Sequence, residues 1–147
     1  MAEDFRKKEL KELVEKFEDF VKGRASHYFE EDDFENIIDY YLDKLKFSKA
    51  LKAVNVAFGQ FPFSVELMLR KATILTSLEE YDEALKLLET AENLQPGDSE
   101  IILLKGNILS LNGNYDEAIE ALNSALEWIE DKDEVFYNIG LAFQGKG

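Results

Sequence analysis

Near the start of the chain, Leu10, Leu13, Val14, Phe17, Phe20 and Val21 recur at the i, i+3, i+4, i+7 spacing, with lysine and glutamate filling most positions between them. That spacing lines the apolar side chains along one stripe of an α-helix and leaves the charged ones in water. It predicts one amphipathic helix over residues 1–22, stopped at Gly23. Arg24–Phe29 then reads as a connector, with Tyr28 and Phe29 as the residues expected to pack beneath it. From Glu30 onward a longer rhythm takes over. Ala50, Ala84 and Ala118 lie 34 positions apart, and so do Ala57, Ala91 and Ala125, the aromatics Phe47, Tyr81 and Tyr115, and the only two prolines, Pro62 and Pro96. A fixed interval of this length marks helix–turn–helix units that cannot bury their apolar faces singly and therefore stack.

The pattern divides the chain into an N-terminal helix and connector (1–30), three full units (31–64, 65–98, 99–132) and the first helix of a fourth (133–147). The predicted class is all-α, an α-α superhelix of stacked antiparallel helix pairs preceded by an extra helix. Ser48, Asp82 and Asp116 are expected to cap the second helices, Ser64 to open the first helix of unit two, and Asp98 or Ser99 that of unit three. Gly113 suits a turn that needs positive φ. The alanines have a steric reason: helices cross closely only where side chains are small, and a bulkier residue would overpack the crossing by about 1–3 kcal/mol. Ala72, Gly106 and Gly140 form a second small series, on the first helices.

Together these residues resemble the tetratricopeptide repeat family, of the bacterial type. Unit three carries the pattern most fully, as Ile102, Gly106, Leu109, Gly113, Tyr115, Ala118, Leu122 and Ala125. Unit two shows Met68, Ala72, Leu75, Tyr81, Ala84, Leu88, Ala91 and Pro96. Unit one shows Phe34, Tyr41, Phe47, Ala50, Val54, Ala57 and Pro62. The half unit supplies Phe136, Ile139, Gly140 and Phe143, of which Phe136, Ile139 and Phe143 are expected to form the inner side covering unit three. The chain departs from the family at Ile38, a bulky residue at the first small position of unit one, where a looser crossing is expected. Lys71 and Lys105 replace leucines, and their ammonium groups are expected to reach water over apolar stems. Glu130 replaces the closing proline of unit three, where a straighter path is expected. Because nothing after Gly147 closes the fourth unit, the pattern favours a chain cut from a longer array over a natural cap.

Composition narrows the function. With 31 acidic against 17 basic residues the formal net charge is −14. Such a chain repels phosphate backbones and anionic membrane surfaces and attracts basic peptides or protein faces. It has no cysteine, so disulfides, thiolate nucleophiles and thiolate metal sites are excluded. No signal-peptide core or membrane-length apolar run is present, and a cytoplasmic protein is expected. The single histidine, His27, cannot complete a usual zinc shell, no serine has a triad around it, and no glycine-rich phosphate loop occurs. Glu30, Glu31, Asp32 and Asp33 lack the glycine-bent spacing of an EF-hand and suit the positive end of the following helix. Trp128 is expected to pack at the end of unit three. No cofactor, metal or enzymatic activity is expected.

What the resemblance implies is a concave groove built from the first helices, carrying the second, fifth, ninth and twelfth residue of each unit. Here these are Asp32, Glu35, Asp39 and Leu42; Glu66, Leu69, Thr73 and Thr76; Glu100, Leu103, Asn107 and Ser110; and Glu134, Tyr137, Leu141 and Gln144. The row Asp32, Glu66, Glu100, Glu134 is acidic. The row Leu69, Leu103, Tyr137 is apolar apart from Glu35. The expected function is a protein–protein interaction scaffold whose groove takes a peptide or partner with basic and apolar groups. Family members that hold chaperone C-termini use groove lysines and asparagines; with Asp39 and Thr73 at matching places, only Asn107 is kept, so an acidic tail fits poorly. The alternative is a structural segment of a longer array, or self-association through the chain end.

Overall fold

The computed structural model describes residues 1–147 as eight α-helices joined by turns, with no strand. They are α1 (Ala2–Val21), α2 (Glu31–Asp43), α3 (Phe47–Gln60), α4 (Val65–Ser77), α5 (Tyr81–Leu94), α6 (Ser99–Leu111), α7 (Tyr115–Ala125) and α8 (Asp133–Lys146). The starts of α2, α4, α6 and α8 and those of α3, α5 and α7 each recur every 34 residues. The chain divides into two compact units, Met1–Arg70 and Lys71–Gly147, with the boundary inside α4.

The turn inside each helix pair is closed in one way. The backbone reverses through a left-handed residue at Leu45 (φ 57°), Glu79 (φ 61°) and Gly113 (φ 83°). The next amide then reaches back five residues: Lys46 to the Tyr41 carbonyl, Glu80 to Leu75 and Asn114 to Leu109, each at 2.8 Å. This is a Schellman closure, which satisfies a carbonyl the helix end would otherwise orphan. Glycine enters that conformation freely, whereas an L side chain costs about 1–2 kcal/mol there. Gly113 carries a sequence signal for the turn; Leu45 and Glu79 carry none.

The helix starts correct one expectation. Ser48, Asp82 and Asp116 do not cap α3, α5 and α7, because these helices begin one residue earlier, at the aromatics, and their N-caps Lys46, Glu80 and Asn114 make no side-chain cap bond. The two aspartates lie in the first turn, where they meet the helix dipole. Each also receives a bond from the end of the next first helix: Asn112 Nδ2 donates to Asp82 at 3.4 Å and Lys146 Nζ to Asp116 at 2.6 Å. Elsewhere capping follows expectation. Ser64 Oγ accepts from the Leu67 amide at 3.2 Å, and Asp98 accepts from Glu100 and Ile101 at 2.9 and 3.4 Å.

In the first unit, an aromatic cluster ties α1 to α2. Phe17 stands edge-on to Phe29 and Phe34, with ring centres 5.8 and 6.4 Å away. Phe20 meets Phe29 at 5.7 Å, Phe29 meets Phe34 at 5.5 Å, and Phe61 meets Phe34 at 6.1 Å. Such pairs contribute about 0.5–1.5 kcal/mol each beyond the area they bury. Phe29 is fully buried, and His27 lies edge-on to it at 4.6 Å, whereas Tyr28 points to solvent. Only half of the connector's aromatic pair therefore packs. Ala50, Ala53, Val54 and Ala57 line the buried side of α3, and Ile38 is fully buried on α2 despite its bulk.

In the second unit, Ile102, Leu122, Ala125 and Val135 form one core cluster, joined by Leu103, Leu126, Ile129 and Ile139 at its edge. Leu109, Ala118 and Ala142 form another. At the crossing of α6 and α7, a Cβ built on Gly106 would lie 2.6 Å from Cγ and Cδ2 of Leu122, so only glycine fits. At Gly140, one period later, a Cβ would meet nothing within 4 Å. The inner side of α8 is Val135, Ile139 and Ala142, while Phe136 and Phe143 remain 56% exposed, against the expectation for these two aromatics. Trp128 is also 65% exposed rather than packed. Lys105 does not simply reach water; its ammonium meets Glu92 on α5 at 3.2 Å. Nor does Glu130 bring a straighter path. α7 stops at Ala125, and the Leu126, Glu127 and Trp128 amides bond three residues back, in a tightened turn.

Two sets of substitutions test these points by urea unfolding. Gly106→Ala is expected to destabilise by about 1–2 kcal/mol, because overpacking outweighs the roughly 1 kcal/mol helix-propensity gain, whereas Gly140→Ala gains up to about 1 kcal/mol. Leu45→Gly, at an exposed left-handed residue, is expected to stabilise by about 0.5–1 kcal/mol; a loss would contradict the turn geometry.

Candidate partner-binding surface

α2 carries Asp32, Glu35, Asp39 and Leu42 on one stripe, since residues three and four apart share a helix face. Asp32 is exposed; Glu35, Asp39 and Leu42 are half-buried. Two of the three carboxylates are already engaged. Arg70, on the first half of α4, donates from Nε and Nη2 to the two carboxylate oxygens of Asp39, both at 3.0 Å. Its Nη1 donates to Glu35 Oε1 at 3.2 Å and to the Glu66 carbonyl at 3.4 Å. The planar guanidinium matches a carboxylate with two parallel bonds, a geometry that lysine cannot supply. Burial pushes the Glu35 carboxyl above its ordinary value of 4.5; Arg70 opposes the rise, and Asp32 and Glu31 add to it.

Arg70 is the residue that reading the sequence missed. A signal existed: it is the only arginine beyond residue 30, four after Glu66 and three before Thr73 on the same stripe. Leu69, expected as an apolar anchor, is only 9% exposed and belongs to the core. Glu66 is exposed at the start of α4. On the opposite flank of α2, Tyr41 donates from its hydroxyl to Glu18 Oε1 on α1 at 3.0 Å, and Lys49 reaches the same carboxylate at 3.6 Å. Burial, with Glu18 beside it, lifts the Tyr41 phenol well above its usual range. This contact is structural: it fastens α1 to α2.

In the second unit, Thr73 is exposed, whereas the Thr76 hydroxyl turns back onto the Ala72 carbonyl at 2.7 Å. Glu100 and Asn107 stand exposed on α6, and Leu103 is half-buried at the edge of a core cluster. The Ser110 hydroxyl oxygen is buried without a hydrogen-bond partner. α8 packs against both α6 and α7. On it Glu134 and Gln144 are exposed, Tyr137 is 66% exposed and Leu141 42%. α6 and α8 thus join their solvent faces into a surface of two carboxylates, two amides and two open side chains, Tyr137 and Leu141. No group of three or more acidic, histidine or cysteine side chains is placed to hold a metal ion. No helix is long and apolar enough to cross a membrane.

Comparison with known proteins agrees with this geometry. Two family models, both described as tetratricopeptide repeat, match residues 36–99 and 75–138. No curated protein sequence matches at a significant level. A tetratricopeptide repeat protein from Parabacteroides merdae superposes with a TM-score of 0.73 at 18% identity, over 94% of this chain and 60% of that one. The TPR2B domain of yeast Sti1, in complex with pHsp70, gives 0.69 at 18% identity, over 77% of this chain and 95% of that one. The second TPR domain of human RPAP3, bound to the HSP70 peptide SGPTIEEVD, gives 0.67 at 14% identity, over 75% and 92%. At these identities the likeness establishes the fold class, the α-α superhelical repeat, and leaves the ligand open.

The Arg70 pair offers a stability test. Arg70→Met is expected to lower stability by about 1 kcal/mol, less than the 3–5 kcal/mol of a fully buried pair, because Asp39 keeps contact with water. For Glu35, a raised folded pKa means that stability falls as the carboxyl ionises on going from low to neutral pH. Glu35→Gln removes that fall. Its stability relative to the parent is therefore expected to be more favourable at pH 7 than below the ordinary value of 4.5. Equal differences at both pH values would contradict the burial of Glu35.

Proposed function

The chain belongs to the tetratricopeptide repeat family, and from that premise we propose that it is a non-catalytic protein-interaction scaffold. Its first-helix face takes an extended or helical peptide with basic and apolar groups. The observation that carries this reading is the face of α6 and α8, where Tyr137 and Leu141 stand open beside Glu100, Asn107 and Glu134. Aromatic and apolar side chains in such a setting supply anchors, and the carboxylates select Lys or Arg on the ligand. In the first unit, taken by itself, Asp32 and Glu66 are exposed carboxylates of the same sign. Asp39 and Glu35, occupied by Arg70, take part only if a ligand cation displaces it.

Two similar structures are complexes with Hsp70 ligands, and the peptide bound to RPAP3, SGPTIEEVD, has three acidic residues among its last four. The net charge of −14 and the carboxylates on the proposed face oppose such a ligand here. The ligand proposed here therefore carries the opposite charge to the one in the RPAP3 complex.

Titration with a synthetic peptide alternating lysine and leucine, and with SGPTIEEVD as control, separates the outcomes. The basic peptide is expected to bind and the acidic one not to. Tyr137→Ala, or Glu100→Lys with Glu134→Lys, should weaken the basic peptide at least tenfold, and added salt should weaken it further. Equal binding of both peptides, or indifference to these substitutions, would remove the proposed face.

A further inference from the structure

A cavity of about 250 Å³ opens between α1, α2 and α3, lined by Phe17, Val21 and Tyr41 and by Lys22, Lys49 and Lys52. The two aromatics are buried and the three lysines exposed, so an apolar floor lies inside a cationic rim. Glu18 also lines the cavity, but its charge is already met: it accepts from the Tyr41 hydroxyl and lies 3.6 Å from Lys49 Nζ. Residues 44–65 form the longest stretch of the chain without a carboxylate, and they hold Lys44, Lys46, Lys49 and Lys52. Packing does not require these lysines. Two periods later Lys49 and Lys52 are matched by Glu117 and Glu120, and Tyr41 by Leu109, in the corresponding cleft of the third repeat unit. The fold accepts either sign there, so the positive sign in the first repeat unit points to a ligand.

Size and charge describe that ligand. Roughly 150 Å³ holds a benzene ring, so 250 Å³ takes one large side chain and little more. The volume falls below the roughly 300–1,000 Å³ of small-molecule sites. An aromatic anchor suits it, because the floor offers two rings for edge-to-face contact and Lys49 Nζ already stands 5.9 Å from the centre of the Tyr41 ring. Carboxylates beside the anchor would meet the rim. The chain itself carries a group of this description. Trp128, its only tryptophan, is 65% exposed in the turn after α7. Glu127, Glu130, Asp131 and Asp133 flank it, all exposed, against one lysine, Lys132. The openness belongs to the position in the repeat: Leu94, one period earlier and followed by another helix pair, is 45% exposed.

We propose that Trp128 of one copy of this chain seats in the lysine-rimmed cavity of a second copy, where the carboxylates beside it meet Lys22, Lys49 and Lys52. None of these residues belongs to the first-helix face proposed for the peptide. Socket and plug are different surfaces, so every copy offers one of each and the contact is heterologous. Each whole chain carries −14, which opposes association at a distance. At 0.15 M salt, charges more than about 8 Å apart are largely screened. What remains is the local match between an acidic turn and a basic rim, with an indole taken out of water.

Because Trp128 is the sole tryptophan, its emission reports the contact. With the full chain taken up to about 1 mM, the sedimenting mass is expected to rise above the monomer as the emission moves to shorter wavelength. Trp128→Ala removes the plug. Lys22→Glu with Lys52→Glu reverses the rim and spares the pair of Lys49 with Glu18. All three substituted residues are exposed, so both variants should fold, which an unchanged circular dichroism spectrum would verify. Each variant alone should associate at least tenfold more weakly than the parent. An equimolar mixture of the two should recover association, since the first keeps the socket and the second the tryptophan. Tyr137→Ala should leave association within about twofold, so failure of the groove peptide and failure of this contact are separately visible. A parent chain that stays monomeric, association indifferent to either variant, or a mixture that does not associate would overturn the proposal. So would an emission shift with no change in mass, because Trp128 would then be covered within its own chain.

Discussion

Close approach of paired helices is the constraint on which the repeat rests. Two α-helix backbones can cross tightly only where one side offers almost no side chain. At the α6–α7 crossing that side is Gly106, and Leu122 fills the space so fully that one added carbon would lie 2.6 Å from it. Ala118 and Ala125, each fully buried on α7, flank the same crossing. Ala50, Ala53 and Ala57 are likewise buried on α3. Period, small residues and burial are one fact seen three ways: a crossing that recurs needs its small residues to recur with it.

A crossing of this kind also needs the chain to reverse within a few residues. The reversal is the left-handed residue after each first helix, and its five-back hydrogen bond holds at 2.8 Å whether the residue is Leu45, Glu79 or Gly113. Tertiary packing overrides local preference at the first two. The same registration displaces the expected caps. With the second helices opening on Phe47, Tyr81 and Tyr115, the aspartates beside two of them become acceptors for the end of the following first helix.

Surface chemistry follows from what packing leaves open. In the first unit an arginine collects two carboxylates, which reduces the free acidity of α2 and holds it to the start of α4. In the second, packing on α6 and α7 consumes Val135, Ile139 and Ala142 and leaves the rest of α8 to solvent. Its open residues fall on two separate stripes, one mixed with carboxylates and amide, the other two phenylalanines about a glycine. The stripes differ in chemistry.

The helices, their pairing and the small crossing residues were legible from the sequence, because each is a local or periodic property: apolar spacing, Pro62 and Pro96 past helix ends, alanine and glycine at equal intervals. The N-terminal helix with Val14 and Phe17 inward was legible for the same reason. Coverage was decided only by the tertiary structure. Periodicity says that Phe136 matches Ile102, but burial needs a helix on the other side, and at Phe136 and Phe143 none is present. Leu69, one of a row expected to be open, is closed by its neighbours, and Trp128, expected to be closed, is open. Arg70 meeting Asp39 and Glu35 is likewise a contact between residues more than thirty apart, set by how two helices approach. Spacing along the chain specifies which side chains recur; which of them meet water depends on what lies across from them.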